Sequence, residues 1–208
     1  MKVLAVAAVA CLMAAGITTA PPAAAQDHHH EAMEAAPPRG DSIYALSASL
    51  VDQRGQTVGL NLFRGHPVLI SMFYANCPDA CPLLIADLQG LERELPSRIK
   101  ADLRIVLVNL DPERETPDSL RALSRAHHLD ESRWRLLRAS EDTVRDITAL
   151  LGIKYRRLPD GNFNHSSVIT LLDPEGVIVA RDATIGGPHE ALLRRLRVVR
   201  SKPVVTPR

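Results

Sequence analysis

Cys77 and Cys81, separated by Pro78, Asp79 and Ala80, are the residues best equipped for chemistry. Spaced four apart, they share one face of a helical turn, so their sulfurs can converge on one ion or on each other. Pro82 suits the first turn of a helix because the amide it lacks has no partner there. A helix N-terminus at this point supplies partial positive charge and free amides, which favour thiolate over thiol. The pair is therefore expected to be nucleophilic and ready to bind metal. Thiolates select Cu(I), Zn(II) or iron–sulfur clusters, and two sulfurs alone satisfy none of these well at an open site. The best third ligand is His165, which directly precedes an apolar run and is therefore expected in a loop at a strand end. Two thiolates and one imidazole form a trigonal set that accepts Cu(I) and, with one more weak ligand, Cu(II); structural zinc would lack its fourth ligand. Two plainer readings stand beside this one: a structural Cys77–Cys81 disulfide, and His165 as a surface residue.

These residues need elements to hold them. Residues 67–74 (Pro-Val-Leu-Ile-Ser-Met-Phe-Tyr) form a nearly continuous apolar run, as expected of a strand buried on both faces that leads straight to the cysteines. After Pro82, Leu84, Leu88, Leu91 and Leu95 mark one stripe of a helix that stops near Pro96. Residues 103–110 read as a second buried strand, and Thr116-Pro117 opens a helix that turns Leu120 and Leu123 inward. A short strand at 134–137, a helix at 141–151 stopped by Gly152, strands at 167–172 and 177–181 joined by Asp173-Pro174-Glu175-Gly176, and a last helix carrying Leu192, Leu193, Leu196 and Val199 complete the pattern. Upstream, residues 45–62 alternate imperfectly around Asp52-Gln53-Arg54-Gly55, which suits a β-hairpin. Alternating strands and helices with a closing hairpin predict a layered α/β fold.

With 208 residues, 46% of them apolar, the chain can bury one sizeable core. The balance of 25 basic against 24 acidic residues and the 3% aromatic content argue against a nucleic-acid partner. Lys2, the apolar stretch 3–15 and the Ala-Ala-Ala before Gln26 predict a cleaved secretory signal over residues 1–25, which also removes Cys11. The chain is thus expected to be periplasmic or otherwise exported, with membrane anchoring by an uncleaved N-terminus as the alternative. Residues 26–40, rich in Ala, Pro and His, read as a flexible leader, 41–199 as the domain and 200–208 as a tail. Within the leader His28, His29 and His30 could capture metal, although a plain leader is the better reading. His127 and His128 fall near a helix end and are expected in solvent, and His66 and His189 have no partner identifiable from sequence.

Three separated motifs carry a resemblance: Phe73-Tyr74 with Cys77-Pro78-Asp79-Ala80-Cys81-Pro82, residues 109–117 (Asn-Leu-Asp-Pro-Glu-Arg-Glu-Thr-Pro), and Asn164-His165-Ser166. Together, in this order, the chain resembles the Sco/SenC family over residues 47–181. The resemblance implies a thioredoxin-like fold: a central sheet flanked by helices, here with an N-terminal β-hairpin extension. It implies one copper bound by Cys77, Cys81 and His165 in a metallochaperone serving assembly of cytochrome c oxidase. The partner would be the oxidase's copper-binding subunit or another periplasmic copper carrier. The alternative is a thiol–disulfide oxidoreductase in which Cys77 and Cys81 are the redox-active pair. Asn164 stands where many relatives have Asp, so a carboxylate beside the histidine is missing. The 109–117 motif has no role derivable from sequence.

Overall fold

A computed structural model describes residues 40–74 and 80–199. The expected signal, the leader up to residue 39 and the tail from residue 200 lie outside the described residues, as does Cys77. The chain runs through β1 (Leu50–Asp52), β2 (Thr57–Val58), β3 (Val68–Phe73), α1 (Ala80–Glu94), α2 (Ser97–Asp102), β4 (Arg104–Asn109), α3 (Pro117–Ala126) and β5 (Trp134–Arg138). It continues through α4 (Glu141–Leu151), β6 (Tyr155–Arg157), β7 (Phe163–His165), β8 (Ile169–Leu172), β9 (Ile178–Asp182) and α5 (Glu190–Val198).

Seven strands form one sheet in the order β2-β1-β5-β4-β3-β8-β9, with β3 and β4 at its centre. β3 lies parallel to β4, β4 parallel to β5, and β8 antiparallel to β3, so the sheet is mixed. All six residues of β3 are buried. Because successive side chains point to opposite faces, this requires cover on both sides of the sheet. Leu84, Leu88 and Leu91 of α1 and Leu95 just beyond its end are all buried, as their spacing predicts, and so are Leu192, Leu193 and Leu196 of α5. Thr116 caps α3 with its hydroxyl accepting from the Ser119 amide, and Pro117 takes the first helical position. Gly152, at φ +71°, ends α4. The expected thioredoxin-like α/β architecture is present, and its N-terminal hairpin extends the sheet by pairing β1 with β5. Among the described residues no helix is long and apolar enough to cross a membrane.

Three elements depart from the sequence reading. Helix α2 buries no residue, so no apolar stripe announced it. Strands β6 and β7 form a separate two-stranded sheet where a loop was expected.

At the β8–β9 turn Gly176 has φ +81°, and an added Cβ would lie 2.5 Å from Tyr44 Cδ2 and 2.6 Å from Ser42 Oγ. There the turn docks on the 3₁₀ segment Ile43–Ala45, with the Ile43 amide donating to the Gly176 carbonyl at 3.0 Å. Strain and overlap act together, so Gly176→Ala should destabilise the fold by about 2–3 kcal/mol. A urea midpoint equal to that of the parent would refute this.

Candidate metal centre

β3 delivers the chain to Tyr74, which is buried and stands three residues before Cys77. The Tyr74 ring meets Phe163 with centroids 5.5 Å apart and His165 edge-on at 5.8 Å, and its hydroxyl donates to the Phe163 carbonyl at 3.4 Å. Tyr155 closes the group against Phe163 at 6.3 Å. Cys81 is the second residue of α1 and Pro82 the third. Both therefore fall in the turn whose amides lack helical partners, as the sequence predicts. Of the three expected ligands, then, His165 and the backbone of Cys81 are described.

His165 does not sit in a loop. It is the last residue of β7, paired across the hairpin with Tyr155, and three residues separate it from β8. The sequence reading missed this because β6 and β7 are three residues long and β6 carries two arginines, which hides any apolar alternation. The hairpin end is pinned by Ser166: its amide donates to the Lys154 carbonyl at 2.9 Å, and its hydroxyl accepts from the Lys154 amide at 3.0 Å. Asn164 is paired with Arg156 and is exposed. Strand alternation turns it to the face opposite His165, so a carboxylate in its place would not lie against the imidazole from this strand. His165 lines a surface depression with Lys154, Tyr155, Arg156, Asn164 and Ser166, which leaves an approach from solvent.

The half-buried imidazole is held below its ordinary pKa by burial, an effect the Ser166 carbonyl only partly counters. Its Nδ1 lies 3.4 Å from that carbonyl. A proton on Nδ1 leaves the Nε2 lone pair free, the tautomer a metal ligand needs. An imidazole with a free ring nitrogen and a cysteine thiolate are each ligand types that suit a soft cation. Among the described residues no group of three His, Cys, Asp or Glu side chains is placed to hold a metal ion. In the reduced, metal-free chain the His165 ring should titrate below 6.5 by NMR. His66 is also lowered, by burial first and then by Arg104. For both, the unfolded chain holds the extra proton just below 6.5, so their contribution to stability falls as pH drops through that range. A His165 midpoint at or above the ordinary value would contradict the burial seen here.

The remaining histidines separate. His66 Nε2 lies 3.2 Å from the Arg104 guanidinium, and His189 lies between Asp87 and Asp182, so both have partners the sequence did not reveal. His128 is exposed and His127, which caps α3, is half-buried. The His28–His30 cluster lies outside the described residues.

Comparison with known proteins points one way. The SCO1/SenC family model matches residues 38–199. A SCO2-like protein of Rickettsia typhi is 29% identical over 133 residues, covering 61% of this chain and 64% of that protein. The match thus spans somewhat under two thirds of that relative's length. ScoI of Bradyrhizobium japonicum, solved with copper bound, superposes with a TM-score of 0.62 at 22% identity, covering 73% of this chain and 96% of that one. BsSco, described with a disulfide switch and as a member of the Sco family of cytochrome c oxidase assembly proteins, superposes with a TM-score of 0.63 at 21% identity, covering 73% and 90%.

Proposed function

We propose, from the premise that the chain belongs to the SCO1/SenC family, that it carries one copper ion held by Cys77, Cys81 and His165 and hands it to a partner. The observation that carries this reading is the place of the His165 imidazole: half-buried, which lowers its pKa, and in ring contact with a tyrosine three residues from Cys77. Two thiolates make the site soft enough to retain Cu(I), while its open side lets a partner's thiols displace the ligands one at a time. The two thiols lose protons on loading; the imidazole, already neutral, loses none. The copper-bound relative and the oxidase-assembly relative support the cargo and its destination, the copper-binding subunit of cytochrome c oxidase or another periplasmic carrier. Residues 1–25 would export the chain, with anchoring by an uncleaved N-terminus as the alternative, and 41–199 would form the working domain.

The test is anaerobic copper binding to the reduced chain, with Cys77→Ser, Cys81→Ser and His165→Ala in parallel. One tightly held copper per chain, weakened by each substitution, is expected. Binding indifferent to His165, or no binding alongside active disulfide exchange, would replace the carrier by an oxidoreductase.

A further inference from the structure

The segment after β4, without a derivable role in sequence, lies against the hairpin that ends in His165. Asp111 is 1% exposed, and a carboxylate so buried is tolerated only when cations or donors meet it. Two arginines do so, and both lead to the hairpin. Arg114 donates from Nε to Asp111 Oδ2 and from a terminal nitrogen to the Gly161 carbonyl, in the turn between β6 and β7. Arg157, on β6, places one nitrogen 3.5 Å from Asp111 Oδ1 and the other 2.7 Å from Glu113, with its Cζ 5.2 Å from the Phe163 ring centroid. The segment is itself fixed to the central sheet: the Asp111 amide donates to Asn109 Oδ1 at 2.6 Å, and Arg138 of β5 donates to the Pro112 carbonyl at 2.9 Å.

Among the described residues the hairpin pairs only with itself. Two strands alone are marginally stable in water, so its position depends on what it packs against. Both the Tyr74 ring and this charged network meet its inner face, since Arg157 is paired with Phe163 and lies over that ring. Exposed ion pairs such as Arg157 with Glu113 hold little, but the buried Asp111 cannot release its arginines without being left uncompensated. We propose that Asp111, Arg114 and Arg157 are positioning residues that clamp the hairpin and thereby aim His165 at the copper site. This rests on His165 being a ligand, as read above.

The experiment is a double-mutant cycle on the full chain, reading Cu(I) affinity by anaerobic competition with a chromophoric chelator. Asp111→Asn, which keeps shape and removes charge, should weaken binding about tenfold. In the His165→Ala background the same change should have no further effect. In the metal-free chain, Asp111→Asn should speed hydrogen exchange at Tyr155, Arg157 and His165 relative to β3 and β4. Arg157→Lys, a milder change, carries the same cycle if Asp111→Asn does not fold. If His165→Ala leaves affinity unchanged, the ligand reading fails and the clamp with it. If His165→Ala weakens binding but the second substitution acts equally in both backgrounds, or hairpin exchange is unaltered, the clamp is overturned and the ligand reading stands.

Discussion

Oxidising Cys77 and Cys81 to a disulfide should lower the affinity for Cu(I) by at least about a thousandfold, or about 4 kcal/mol. In the proposed site the two thiolates supply the negative charge and most of the softness. A disulfide offers neither, so the donor set falls to one imidazole whose surroundings, Tyr74 and Phe163, add no anionic ligand. The two equilibria are linked: copper bound only to the reduced form must make the pair easier to reduce. At free copper a thousand times the dissociation constant, the midpoint potential moves up by about 90 mV. The measurement is copper retained after desalting by reduced and by diamide-oxidised chain, together with alkylation of the thiols before and after loading. Loaded reduced chain should resist alkylation. Oxidised chain that keeps one copper with undiminished affinity would show that the sulfurs are not the ligands.

What could be read in the sequence was whatever one element states by itself. β3 announces itself because all its residues are buried and therefore apolar or small, and α1 because one face meets the core every third or fourth residue. The cysteine pair was legible because it sits where those two elements meet, and the three ordered motifs carried the family. The supports of the site were not legible, because they are made across distance. Asp111 meets Arg157 46 residues later, and Tyr74 reaches the Phe163 carbonyl 89 residues later. No local period signals such contacts. The hairpin failed for a different reason: its outer face carries Arg156 and Asn164 and its inner face serves the site, so neither face shows a core pattern.

His189→Ala should cost about 3–5 kcal/mol. His189 is 5% exposed at the N-cap of α5, with Nδ1 3.0 Å from Asp182 and Nε2 3.2 Å from Asp87. It therefore joins three elements: α1 through Asp87, the end of β9 through Asp182, and α5. Each carboxylate also accepts from one backbone amide, Gly186 to Asp87 at 2.6 Å and Thr184 to Asp182 at 2.9 Å, while His189 hydrogen-bonds Asp182 and meets Asp87 as a neighbouring charge only. Burial alone would raise the Asp182 carboxyl, but the Thr184 bonds and His189 lower it by more, so its net pKa lies below the ordinary value. A carboxyl lowered on folding contributes stability that is present above its unfolded pKa and lost as pH falls through the folded one. Removing the imidazole takes away part of that contribution, so the acid limb of the stability profile should move to higher pH. Backbone strain must be separated from charge, since His189 has φ +47° and alanine is disfavoured there. His189→Gly relieves that strain and should still lose most of the stability; adding Asp87→Asn and Asp182→Asn should restore part of it. A loss below about 1 kcal/mol in His189→Gly would mean that the fold tolerates the two carboxylates without their shared imidazole.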